Sequence, residues 1–105
     1  MTPAPGEVYL ADLGIGGKVR PVLVVSRMDA DAPRALALCV PLTTQNRGSA
    51  YEVELPRVRF LSERSFANVQ GLASFRHDEL SGRLGRFELP AVEQVRVALR
   101  YILEL

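Results

Sequence analysis

No stretch of this sequence reaches the ~18 to 20 consecutive apolar residues that span a bilayer. The opening MTPAPGEVYLADL has neither the basic nor the apolar region of a signal peptide. Both absences lead to the expectation of a cytoplasmic protein with no membrane contact. A single cysteine, Cys39, excludes an internal disulfide. It stands in the apolar run LALCVPL without a nearby cation to lower its pKa, so it reads as a small core residue and not as a reactive thiol. One histidine, His77, and scattered carboxylates give no metal-ligand spacing, so neither a metal nor another cofactor is expected. Charge of one sign is lacking too. The 13 Lys+Arg against 12 Asp+Glu leave a net charge of +1, which argues against a histone-like or tail-driven hold on nucleic acid. Any anionic ligand has to be gripped locally.

At 105 residues the chain is expected to hold one domain, residues 1–105, because two cores would each fall below the size that folds unaided. Its apolar fraction of 48% is that of a globular protein. EVYLADL (residues 7–13) alternates Val8 and Leu10 against Tyr9, Ala11 and Leu13 and reads as a first strand. GIGGK then marks a tight or mobile turn, since glycine alone takes positive φ without cost. RPVLVVS is the second strand, and its unbroken apolar run predicts that both faces are covered. RALALCVPLT (34–43) is a third, in which Pro41 removes a ladder donor and must sit at an edge, a bulge or a strand end.

AYEVEL (50–55) alternates Tyr51, Val53 and Leu55 against Glu52 and Glu54, the pattern of a strand with one wet face. SFANVQGL (65–72) reads as a fifth strand, and RHDELSG as a short helical turn. The closing LPAVEQVRVALRYILEL is the clearest helix. Pro90 suits its first turn, and Val92, Val95, Leu99, Ile102 and Leu103 recur at spacings of three and four. Strands first and one helix last give a mainly β, α+β class: a small antiparallel barrel or sheet with a helix packed on it. A second strand apolar on both faces, in a chain with one helix to cover its sheet, also leads to the expectation of a homodimer.

Two stretches carry possible chemistry. Pro21 holds its own φ and pushes Arg20 towards an extended backbone, so the arginine leaves the chain along few directions. Its five donors form a planar fork that matches phosphate oxygens. The plainer alternative is a strand-end arginine capped by a surface ion pair. VPLTTQNRG then presents Thr43, Thr44, Gln45, Asn46 and Arg47 in sequence at a strand end, a cluster suited to phosphate or base-edge contacts and equally common in turns. Residues 56–76 hold Arg57, Arg59, Arg64 and Arg76 against Glu63 alone. That excess either borders an anion-binding surface or belongs to a solvated loop. His77 has the right kind of side chain for proton transfer, but its neighbours are those of a solvated turn.

GEVYLADL, RPVLVVS, VPLTTQNRG followed by YEVEL, SFANVQGL, and LGRF before a closing helix stand in one order over nearly the whole chain. In this order they resemble the MazF/PemK (Kid) family of toxins from bacterial toxin–antitoxin pairs. The resemblance implies an SH3-like barrel of the MazF/PemK/CcdB type with a C-terminal helix, usually a homodimer. It implies metal-independent, sequence-selective cleavage of single-stranded RNA that leaves a 2′,3′-cyclic phosphate and a 5′-hydroxyl. The implied partner is an antitoxin whose disordered acidic tail covers the RNA groove. The family's arginine before proline falls on Arg20, and the first threonine of its Thr-Thr-Gln stretch falls on Thr43; these are the implied catalytic pair. RNA contacts are expected from Lys18, Thr44, Gln45, Asn46, Arg47, Asn68 and Gln70.

Two departures stand out. The family often carries a longer loop before the arginine, with a Gly-x-Glu-Gln stretch, where this chain has only GIGGK. In the PemK branch the segment matching ANVQG carries a catalytic arginine and aspartate, where Asn68 and Gln70 stand here. The general base is therefore open, and a catalytically weak barrel that binds RNA or a protein is one alternative. A CcdB-like gyrase poison is another, although the chain ends ILEL and has no tryptophan where that toxin ends Trp-Gly-Ile.

Overall fold

The computed structural model describes residues 2–14 and 18–105. These form seven strands: β1 (Glu7–Asp12), β2 (Val19–Val24), β3 (Leu36–Thr43), β4 (Glu52–Glu54), β5 (Phe66–Asn68), β6 (Ala73–Arg76) and β7 (Ser81–Arg86). The helix α1 (Leu89–Leu103) follows them. Every pairing is antiparallel. The ladder runs β4-β5-β3-β2-β1-β7, with β6 also paired to β3. The class is the expected one, mainly β with a C-terminal helix. Among the described residues no ladder joins the ends of the curled sheet, so the barrel is not closed by hydrogen bonds.

Strand alternation divides the apolar residues of β1–β3 between two cores. Val8, Leu23, Val40 and Leu42 enter the core that α1 covers with Ala91, Val95 and Ala98. Tyr9, Ala11, Val22, Val24, Ala37 and Cys39 enter the other, with Phe75 and Leu80. The unbroken apolar run of β2 is thus accounted for within one chain: Val22, Leu23 and Val24 are each 0% exposed. This removes the ground on which the sequence led to a homodimer. The apolar surface left over lies elsewhere, much of it on α1, where Leu89, Val97 and Tyr101 are exposed.

Several sequence expectations are corrected. Residues 65–72 are not one strand. β5 stops at Asn68, whose side-chain oxygen accepts from the Gln70 N–H at 3.1 Å, and this local bond replaces ladder pairing and starts a 3-10 turn, Val69–Gly71. β6 and β7 were not anticipated, because ASFR and SGRLGR are short and poor in strong strand formers. The RHDELSG turn is a 3-10 turn over His77–Glu79 only, and Ser81 and Gly82 already belong to β7.

Pro41 is at neither an edge nor a strand end. It pairs with Val22 on one side. On the other it falls between the Cys39–Ala73 and Leu42–Ala67 pairs, where β3 changes partner from β6 to β5. In α1, Pro90 does stand in the first turn. Leu103, assigned to the buried stripe by its spacing, is exposed in the last turn, where the chain leaves the helix at Glu104. Of the GIGGK turn, residues 15–17 lie outside the described residues.

Two contacts fix the start of the fold. Glu7 accepts from the Ala4 N–H at 2.7 Å, the Tyr9 hydroxyl at 3.0 Å and Arg83 Nε at 2.8 Å, which ties β1 to β7. Burial pushes the Glu7 carboxyl up, but these hydrogen bonds outweigh it and hold the group below its usual value. Gly6 donates to the Val24 carbonyl at 2.9 Å and accepts from the Phe87 N–H at 2.8 Å. It does so at φ 93°, and a β-carbon there would stand 2.7 Å from the Phe87 carbonyl oxygen.

Gly6→Ala is therefore expected to destabilise the protein by roughly 3 kcal/mol, combining left-handed strain with a backbone clash. Gly48→Ala has the strain without the clash, since nothing lies within 4 Å of its β-carbon position, and is expected to cost about 1 kcal/mol. Urea denaturation midpoints of the two variants test this, and equal losses would refute the steric account. A second expectation concerns Cys39, fully buried and with its thiol pushed up to about 12 by burial. At pH 8 a disulfide-exchange reagent should label it in guanidinium and leave the folded protein unmodified, so rapid labelling of the native chain would contradict its core role.

Candidate functional site

Beside the core of Tyr9, Val22 and Val24, the first residues of β2, the last of β3 and the loop between β4 and β5 line a groove of about 850 Å³. Strand geometry delivers its two main side chains. Arg20 pairs with Ala11, so it shares the face of Tyr9, Ala11, Val22 and Val24. Thr43 lies an even number of residues from Ala37 and Cys39 and shares their face. Both line the groove, together with Thr44, Gln45 and Asn68.

The hydrogen bonds leave useful donors. Thr43 Oγ1 accepts from the Gln45 N–H at 3.1 Å, an arrangement in which the hydroxyl proton remains available. Asn68 spends its side-chain oxygen on the Gln70 N–H, which leaves its amide hydrogens for the groove. Arg20 is exposed and forms no ion pair among the described residues, unlike Arg64, Arg76, Arg83 and Arg96. The strand-end ion pair considered for it is thus not formed.

Four of the sequence candidates, Lys18, Asn46, Arg47 and Gln70, do not line the groove. Asn46 accepts from the Gly48 N–H at 2.8 Å and so shapes the loop. The Arg47 backbone N–H donates to Glu52 at 2.9 Å and its guanidinium reaches back to Gln45 at 3.5 Å. The arginine-rich segment also divides. Arg64 pairs with Glu54 and Arg76 with Asp78 at 3.0 Å. Arg57 and Arg59 line a separate depression of about 430 Å³ that shares Leu61 and Ser62 with the groove. His77 is half-buried in its 3-10 turn and does not reach the groove.

The sequence reading missed the far wall, Leu61, Ser62, Glu63 and Ser65, and the apolar patch of Ala73 and Phe75. A bulky anchor places that wall. Phe60 packs edge-on against Phe87 with ring centroids 5.4 Å apart. It occupies the space over Gly85, where a β-carbon would stand 2.3 Å from the ring. The other fixed point is Gly71, whose β-carbon would meet Pro41 at 2.5 Å, so the 3-10 turn that follows Asn68 seats directly on β3. Neither contact is legible from spacing. The one available signal was Glu63, the single acid in a run of arginines.

Two carboxylates line the groove, Asp12 and Glu63. Asp12 pairs with Val19, which puts its side chain on the ladder face opposite Arg20, and its Oδ1 accepts from the Gly14 N–H at 2.7 Å. Glu63 forms no ion pair among the described residues. Among those residues no three His, Cys, Asp or Glu side chains gather as a ligand set, and no helix is long and apolar enough to cross a membrane.

The chain is similar to known proteins over nearly its whole length. Residues 4–103 match the family described as PemK-like, MazF-like toxin of type II toxin-antitoxin system. The probable endoribonuclease MazF5 of Mycobacterium tuberculosis is 43% identical over 86 residues, 80% of this chain and 77% of that protein. An endoribonuclease from a mycobacterial species, solved in complex with its cognate antitoxin, superposes with a TM-score of 0.84 at 27% identity over 98% of this chain and 96% of that one. MazF from Deinococcus radiodurans, 22% identical over 100% of this chain and 99% of its own, shares the fold with a TM-score of 0.81. With its strand order, its terminal helix and the match over 4–103, the chain belongs to the PemK-like, MazF-like toxin family of type II toxin–antitoxin systems.

Proposed function

We propose that this chain is the toxin of a toxin–antitoxin pair and acts as an endoribonuclease on single-stranded RNA. The observation that carries this reading is the convergence of an arginine without an ion pair among the described residues, Arg20, and a hydroxyl, Thr43, in one groove of about 850 Å³. Attack of a ribose 2′-hydroxyl on its own phosphate needs no external nucleophile, and it leaves a 2′,3′-cyclic phosphate and a 5′-hydroxyl. It does need stabilisation of the charge that builds on the phosphorane oxygens. The Arg20 guanidinium supplies it, since a permanently charged guanidinium serves as an electrostatic clamp and not as a proton donor. The Thr43 hydroxyl and the Asn68 amide add neutral donors beside it, and Thr44 and Gln45 extend the contact along the strand.

The proposal has three further parts: an antitoxin, a second copy of the chain and a compartment. A mycobacterial structural relative is bound to its cognate antitoxin. A carboxylate of an acidic, disordered antitoxin tail would meet Arg20, the one cation among the described residues lining the groove, and would keep clear of Asp12 and Glu63. A homodimer is proposed from the exposed apolar ridge of α1, Leu89, Val97 and Tyr101. The cytoplasm follows as the place of action from an RNA substrate.

Incubation with single-stranded RNA in EDTA should give fragments with 5′-hydroxyl ends. Arg20→Ala and Thr43→Ala are each expected to slow cleavage at least roughly tenfold with the fold retained, and addition of the antitoxin should stop it. Arg20→Lys should also be impaired, because an ammonium has no planar fork. Wild-type rates in all three variants would overturn the site. Sedimentation should give about twice the chain mass of 11.6 kDa, and a monomer at tens of micromolar would remove the dimer.

A further inference from the structure

The groove has two chemically different sides. Arg20, Thr43 and Thr44, at the start of β2 and the end of β3, line it with donors and a positive charge, beside Asp12, whose Oδ1 is taken by the Gly14 N–H, and the β4–β5 loop lines it with Leu61, Ser62 and Glu63. Neighbouring residues in that loop are turned to different tasks. Arg64 is drawn out of the groove by Glu54. Ser65 is buried, with its hydroxyl donating to the Glu63 carbonyl at 3.3 Å, and its carbonyl accepts from the Leu55 N–H at 3.0 Å. The backbone on the C-terminal side of Glu63 is thereby pinned, and on the other side Phe60 is locked over Gly85 against Phe87. Glu63 is presented from a loop anchored at both ends, with no cation among the described residues neutralising it.

The charge of Glu63 repels phosphate, so a phosphodiester held at Arg20 keeps its backbone on the β2–β3 side and turns a base towards the loop that carries Glu63. A carboxylate is acceptor-only, with two oxygens side by side. On a Watson–Crick edge exposed in single-stranded RNA, guanine alone offers two adjacent donors, N1–H and N2–H. Adenine and cytosine each present one amino group beside a ring acceptor, and uracil one N–H between two carbonyls. Those acceptors would face the carboxylate unfavourably.

From this juxtaposition we infer that Glu63 is a specificity-determining residue that selects guanine at one position of the RNA by accepting its N1–H and N2–H. The inference rests on the ribonuclease reading and deepens it. It gives the carboxylate in the groove a role in recognition, separate from the chemistry at Arg20 and Thr43. Discrimination from one bidentate contact is about 1–3 kcal/mol, or roughly five- to 150-fold between bases.

The experiment is a selection from randomised RNA, all of it 2′-O-methylated so that it cannot be cleaved, by the wild-type protein, Glu63→Gln and Glu63→Ala. Cleavage-site mapping on unmodified RNA of the same design runs in parallel. The wild type should enrich guanine about tenfold at one position. Glu63→Gln, with one acceptor and one donor, should shift that position towards adenine, and Glu63→Ala should leave it without preference. Inosine, which lacks the 2-amino group, should weaken wild-type binding when it replaces the selected guanosine and should not affect Glu63→Ala.

The inference is overturned if all three proteins select the same base, or if inosine binds the wild type as well as guanosine. It is overturned equally if Glu63→Gln cuts every sequence more slowly with its preference unchanged, which would place the carboxylate in the chemistry. If the wild type cleaves RNA and shows no guanine preference, only the inference falls. If it neither holds nor cuts RNA of any sequence, the ribonuclease reading falls with it.

Discussion

The change of partner along β3 is the constraint on which the rest of the molecule depends. Its first half pairs with β6 and its last residues with β5. Between them stands Pro41, which has no N–H to offer a neighbour on that side. The chain that joins β5 to β6 must then turn sharply beside the proline, and it does so in a 3-10 turn started by Asn68 and closed by Gly71 against the Pro41 ring. A residue that would weaken an ordinary central strand here opens the gap at which a groove can form. The same turn delivers the Asn68 side chain to that groove.

Burial on both faces of β1–β3 makes this gap rigid. Each fully buried valine or leucine contributes about 1.5–3 kcal/mol, and β2 alone commits Val22, Leu23 and Val24 to two different cores. A one-residue slip of β2 would exchange its faces and bring Arg20 to the side of Val8 and Val40. Register is therefore strongly specified where the site needs it. Arg20 and Thr43 are placed by the packing of their strand neighbours, with no hydrogen bond holding the Arg20 guanidinium among the described residues.

The electrostatics follow from which arginines are already occupied. Arg64, Arg76, Arg83 and Arg96 each have a carboxylate partner, largely at the surface, where such pairs are worth little in stability. Two of them, Arg64 and Arg76, belong to the four arginines that the sequence concentrates between residues 56 and 76, where Arg57 and Arg59 form no ion pair among the described residues. Among the described residues lining the groove, the cation is Arg20, and the carboxylates are Asp12, whose Oδ1 accepts from the Gly14 N–H, and Glu63. A chain of net charge +1 can in this way still present a local field to an anion.

By itself the sequence determined the elements whose residues interact with their immediate neighbours. The alternation of EVYLADL, the two-faced run of RPVLVVS and the three-four spacing of the last helix all state their own geometry, because burial selects for period. Arg20 and Thr43 were legible for the same reason, as polar residues at the ends of apolar strands. Only the tertiary structure decided what depends on contacts distant along the chain. Phe60 meets Gly85, Pro41 meets Gly71, and Glu63 comes to line the same groove as Arg20. No periodicity announces these contacts, and the polar residues of the 43–47 turn separate for this reason into Thr43, Thr44 and Gln45 inside the groove and Asn46 and Arg47 outside it. A turn's composition states that it turns, whereas the side it presents to the groove is set by what packs beneath it.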